Sequence, residues 1–177
     1  MKKKTLALVL ALTLLVAGIV GGTLAWLTDQ TAEVKNTFTV GDINIGLTET
    51  TADYKMVPGN TIAKDPTVTV KANSEACWLF VKVTESTDLK DFITYAIAEG
   101  WTALPGVDGV YYREVPASAA DQTFSVLAGD AVTVKSDVTR TMLETAKADA
   151  PALTFKAYAI QRDHFATADA AWAEVNP

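Results

Sequence analysis

From Val34 to Leu47 apolar residues recur at every second position, but in two phases. Phe38 and Val40 share one face; Ile43, Ile45 and Leu47 share another, offset by one residue at Gly41-Asp42. An offset of this kind predicts a bulge or a tight bend between strands. Met56-Val57-Pro58-Gly59-Asn60 reads as a turn, because Pro suits its first corner and Gly accepts positive φ. After Asp65-Pro66, Thr67, Thr69 and Lys71 alternate with Val68, Val70 and Ala72, the pattern of a strand wet on one face and dry on the other. Ala76 to Thr84 is more continuously apolar and rich in β-branched and aromatic residues, so it predicts a central strand covered on both faces.

Asp88 to Ala98 fits two patterns. Leu89, Phe92, Ile93, Ala96 and Ile97 have helical spacing, while 93–97 also suits a strand; we read a helical turn over 88–92 followed by a strand. Gly100 to Val115 predicts a hairpin around Pro105-Gly106-Val107-Asp108-Gly109. Phe124–Leu127 and Ala131–Lys135 flank a turn at Gly129-Asp130. Thr139 to Lys147 is helical in pattern and is ended by Pro151, Leu153 to Gln161 is a long strand, and Thr167 to Val175 is a short terminal helix with a Thr N-cap. The total of about eight strands predicts an all-β, antiparallel β-sandwich with a few short helices.

A different pattern precedes these elements. Lys2, Lys3 and Lys4 lead an uncharged apolar run from Leu6 to Val20, and Gly21-Gly22 then ends it before Thr23-Leu24-Ala25. A basic start, an apolar middle and a small-x-Ala end are the marks of a secretory signal peptide. The expected domain plan is a signal-peptide helix over 1–25, cut after Ala25 to expose Trp26, and a single folded domain over 26–177. An uncleaved anchor is the alternative, since residues 5–22 are all uncharged and reach the lower edge of a spanning length. On the cleavage reading, the protein meets the membrane only through residues 1–25.

Composition narrows the chemistry. The formal net charge is −6, which disfavours nucleic acid, whose phosphates need a basic face. A single Cys precludes an internal disulfide, and Cys77 lies in the most apolar strand, where a thiol acts as a small hydrophobe. A zinc hydrolase needs about three protein ligands, commonly two of them His, and this chain has only His164. There is no HExxH, no GxSxG and no Walker loop. Asp108, Asp121, Asp130 and Asp137 sit in or beside turns without the spacing of a calcium loop. No catalytic, cofactor or metal residue is therefore expected. Trp26, Trp78, Trp101 and Trp172 are expected as core or edge anchors.

Two stretches carry a resemblance. One is Gly21-Gly22-Thr23-Leu24-Ala25-Trp26-Leu27-Thr28-Asp29; the other is Asn36-Thr37-Phe38-Thr39-Val40-Gly41, continuing through Asp42-Ile43-Asn44-Ile45. Together they resemble the TasA/camelysin family of secreted proteins of Gram-positive bacteria. Val57-Pro58-Gly59-Asn60, Gly100-Trp101 with Val110-Tyr111-Tyr112, and Phe155 to Gln161 extend the resemblance along the chain. It implies a jelly-roll sandwich, processing by a signal peptidase of the SipW type at Thr23, Ala25 and Trp26, and export to the cell surface or biofilm matrix. It further implies assembly into fibres with copies of itself or with related matrix subunits. Camelysin is also classed as a metallopeptidase, and this sequence offers no metal-binding constellation to receive that activity. A monomeric accessory or anchoring surface protein is a third expectation.

Cleavage after Ala25 would free Trp26, Leu27, Thr28, Asp29, Gln30, Thr31, Ala32, Glu33 and Val34 within an arm over 26–36. At about 3.3 Å per residue, nine residues reach roughly 30 Å. Such a segment can add a strand to an exposed sheet edge. Contacts of that kind run head to tail and give filaments rather than closed rings. The rival expectation is that the segment forms an edge strand of its own domain.

Overall fold

The computed structural model describes residues 42–50, 55–146 and 151–175. All of them belong to one compact unit, Val40–Pro177. The signal-peptide helix, the cleavage residues Thr23, Ala25 and Trp26, the arm 26–36, and Phe38, Val40 and Gly41 lie outside the described residues.

Ten strands occur among the described residues: β1 (Ile45–Thr48), β2 (Thr61–Ala63), β3 (Thr67–Val70), β4 (Cys77–Glu85), β5 (Ile93–Thr94), β6 (Thr102–Ala103), β7 (Val110–Val115), β8 (Gln122–Ser125), β9 (Ala131–Val134) and β10 (Leu153–Gln161). Three short helices accompany them: α1 (Leu89–Phe92), α2 (Arg140–Thr145) and α3 (Ala168–Val175). Every strand pairing is antiparallel. The sheet orders are β1-β3-β8, β2-β9-β5 and β10-β4-β7-β6.

The excess over eight strands has a local cause. The ribbon formed by 61–70 and 122–134 is broken once, where Pro66 has no N–H to give and where Gly129 (φ 65°) and Asp130 (φ 48°) turn left-handed. The break is still bonded: Lys64 N donates to Asp130 O at 2.7 Å and Val126 N to Pro66 O at 2.9 Å. One bent ribbon therefore contributes to two small sheets, and what the sequence marks as a turn at Gly129-Asp130 is a corner.

β4 organises the interior, as its composition predicts. Its odd residues Cys77, Leu79 and Val81 are fully buried against Val68, Val70 and Val126. Its even residues Trp78 and Phe80 face the other way, into a cluster with Leu104, Val110, Ala171 and Trp172. The order is thus sheet, sheet, helix, with α3 lying on the outer face of the four-stranded sheet. The Trp172 ring stands 5.3 Å from Phe80 and 5.2 Å edge-on from Tyr158, distances at which aromatic pairs attract. Trp78 Nε1 donates to Phe165 O, which fixes the approach to α3, and Ala170 N donates to Thr167 Oγ1 at its start, the expected cap. A third cluster joins Leu89 and Phe92 of α1 to Val132, Val134 and Val138.

The other elements match their patterns closely. The turn at Pro58-Gly59 has Gly59 at φ 80°. A helical turn does precede a strand over 88–94. The 100–115 hairpin pairs β6 with β7, and at Gly109 a β-carbon would lie 2.4 Å from Val83 O, so glycine is required there. Thr139 caps α2 by accepting from Met142 N.

Burial raises the Cys77 thiol from 9.0 to about 11, because a thiolate cannot be solvated there. The folded state therefore favours the protonated form. This contribution is whole below pH 9 and is lost as pH rises toward 11. Over that window the chain should lose roughly 2–3 kcal/mol more stability than a Cys77→Val variant. Urea unfolding of both proteins at pH 8, 9.5 and 10.5 measures the difference; parallel pH dependences would show that the thiol ionises freely.

Candidate functional site: a half-covered sheet edge

The two sides of the sandwich are finished differently. On one side Trp101 Nε1 donates to Ser125 O at 2.9 Å, tying the sheets together. Beside it the Arg113 guanidinium lies 3.9 Å from the Phe124 ring centroid and 5.4 Å from that of Trp101. Arg113 Nε is buried with no acceptor among the described residues, and desolvation lowers the pKa of the group. Cation–π contact offsets part of that cost. This side is plugged.

The other side is bounded by β1 and β10. β10 runs nine residues against β4, and among the described residues it has no strand on its outer side. Its core-facing row, Leu153, Phe155, Ala157 and Ala159, is only half buried. The β4 residues opposite three of these, Val83, Val81 and Leu79, are buried. Two members of the row are alanines, which fill little of the space beside Ile43 and Ile45. On the β1 wall Leu47 is 37% exposed, one of two large apolar residues so exposed among those described. Between Leu47–Glu49 and Leu153–Phe155 lies a cleft of about 310 Å³, with Pro66 also in its wall. Uncovered core-facing side chains along a strand with free N–H and C=O groups are what strand addition uses.

One end of the cleft carries an ion pair. Lys64 is 7% exposed, its Nζ 2.5 Å from Glu49 Oε1 and 5.4 Å from the Phe155 ring centroid. Both residues make a further interaction besides these. Close by, Asp65 accepts from Thr50 N and from the Thr50 hydroxyl, which holds its carboxyl below the usual value.

Conventional catalytic chemistry finds little here. His164 lies exposed in a 3-10 turn at Arg162–His164. Among the described residues no group of three or more His, Cys, Asp or Glu stands where it could hold a metal ion. Asp121 is occupied structurally, accepting from Ala72 N at 2.8 Å and from Lys71 Nζ at 3.0 Å, and these bonds lower its pKa.

The family model for the camelysin metallo-endopeptidases matches residues 1–89. The chain belongs to that family. The match runs from residue 1 through β4, so it includes the β1 wall of the cleft and the central strand. No curated protein and no solved structure matches the chain. The family's name denotes a metal-dependent peptidase, yet the donors among the described residues do not fit a zinc site: one exposed His, one buried thiol, and no group of three or more His, Cys, Asp or Glu within reach of one ion.

Every site residue expected from the sequence, Thr23 and Ala25 for cleavage and Trp26 to Val34 for the arm, lies outside the described residues. Sequence reasoning found β10 as a strand but missed that it is an edge. Its Leu-x-Phe-x-Ala-x-Ala row, which shrinks along the strand, was the available signal.

The ion pair at the cleft end should matter more than its surface counterpart. Glu49→Ala leaves Lys64 buried with fewer partners and should cost about 2–3 kcal/mol in urea unfolding. Asp121→Ala removes the exposed Lys71 pair and one backbone bond, and should cost clearly less, because a solvent-exposed pair contributes little. Equal costs would mean that Lys64 is solvated in solution.

Proposed function

We propose that this camelysin-family chain is a secreted structural protein of the bacterial cell surface or biofilm matrix, assembling into fibres by N-terminal donor-strand exchange. The observation that carries the reading is the half-covered edge. β10, nine residues long, has no strand on its outer side among the described residues and stands beside an incompletely covered core row, and the segment that cleavage after Ala25 would free, Trp26 to Val34, is also nine residues long. The described chain begins at Asp42, three residues before the cleft wall β1. Before cleavage the arm is tethered to the leader and cannot reach another copy. A signal peptidase of the SipW type, as the resemblance implies, would release it outside the cell.

A protein starting at Trp26 with no added residues should form filaments in negative-stain electron microscopy as its concentration rises. One starting at Asn36 should stay monomeric. Monomers from both would remove self-assembly and leave an accessory surface protein that needs a partner.

The family name supports a second reading, a secreted metallo-endopeptidase. Casein digestion by the pure protein, abolished by a chelator and restored by zinc, would establish it. The expected outcome is no cleavage under either condition.

A further inference from the structure

On the outward face of the four-stranded sheet, Lys156 of β10 and Lys82 of β4 are direct cross-strand partners. Like charges placed side by side on a sheet repel. Neither makes an ion pair among the described residues, and Lys156 rests only over the Tyr158 ring, 5.0 Å from its centroid. Lys156 is exposed and Lys82 half buried. Lys156, on the strand that ends the sheet, thus has a like charge beside it on β4 and no carboxylate partner among the described residues.

The arm has the complementary pattern. In an extended strand Trp26, Thr28, Gln30, Ala32 and Val34 would share one face and carry no charge; Leu27, Asp29, Thr31 and Glu33, which would share the other, include both acids. Strand period is two, so register decides which face looks inward. When the nine arm residues overlap the nine of β10 end to end and antiparallel, as every described pairing is, Val34 lies across from Leu153 and Ala32 from Phe155. The uncharged face then covers the half-buried row, and the small Ala32 meets the large Phe155. Thr31 falls opposite Lys156, which places Asp29 and Glu33 on its two diagonals, within reach of a long side chain. A slip of one residue would turn both acids onto the apolar row.

We propose, resting on the fibre reading above, that residues 26–34 of a second copy of this chain dock along the free edge of β10. In that arrangement Asp29 and Glu33 flank Lys156, offset its repulsion with Lys82, and so fix the register.

The test uses the chain from Trp26 to Pro177, with filament elongation followed by light scattering and checked by electron microscopy. Lys156→Glu should slow elongation roughly tenfold, and so should Asp29→Lys combined with Glu33→Lys; all three changes together should bring it back to within about threefold. Raised salt should slow the unaltered protein, as a screened attraction requires. Lys156 is exposed and Lys156→Glu turns its repulsion with Lys82 into an attraction, so urea unfolding should show a variant at least as stable as the unaltered chain. If the unaltered chain forms filaments and Lys156→Glu elongates at the same rate, docking at β10 is overturned while the fibre reading stands. If each charge change slows elongation but the combination does not recover, the pairing of these residues is overturned. Monomers from the unaltered chain at every concentration overturn the fibre reading and the second copy as occupant together.

Discussion

The fold depends on β4 being buried on both faces. Its odd side chains, Cys77, Leu79 and Val81, fill the space between the sheets, and its even side chains, Trp78 and Phe80, fill the space beneath α3. A strand of this kind needs a partner on each flank, because its backbone N–H and C=O groups have no water to turn to. β7 supplies six paired positions on one flank and β10 nine on the other. β10 is thus held in place by β4 along its whole length, while nothing among the described residues holds its outer side.

That asymmetry sets the character of the two sandwich margins. At the β8 margin a tryptophan, an arginine and a phenylalanine close the gap, with Trp101 bonded across to Ser125. At the β1 margin the corresponding space is lined by Leu47 and by the shrinking Leu-Phe-Ala-Ala row, and it stays a cleft. A sandwich that aimed only at its own stability would place larger side chains at Ala157 and Ala159, since covered apolar area stabilises and half-covered area does less. Small residues at those positions leave room for backbone to approach.

Much of the fold was legible in the sequence because local pattern and tertiary role agree. The continuous apolar run predicted β4, the Thr-Val alternation predicted β3, and Pro58-Gly59 and the loop before Gly109 marked their turns. Even the ambiguous 88–98 stretch divided as read, because Leu89 and Phe92 have a core of their own to enter. The corner at Pro66 and Gly129-Asp130 was less legible: a turn between two strands looks the same in sequence whether they pair with each other or each pairs with a third. The candidate site was least legible of all. Whether a strand lies at an edge depends on topology, and the significance of Lys156 appears only once Lys82 is beside it.

The same lysines also bear on specificity. An unpaired nine-residue edge is an aggregation hazard, and charged residues, lysine above all, are a common means of blunting one. Lys156 places a positive charge on this edge with Lys82 next to it on β4, so an incoming basic strand meets repulsion and a neutral one an unmatched charge. Only a segment that alternates uncharged and acidic positions in the right phase relieves it. The arm from Trp26 to Val34 has that alternation in its sequence, and a one-residue slip would set Glu33 against Leu153 or Phe155 and Asp29 against Ala157 or Ala159, at a cost of several kcal/mol. On the proposed docking, one lysine with a like charge behind it would reject random strands and accept the chain's own, so that an edge open to assembly need not invite every exposed strand.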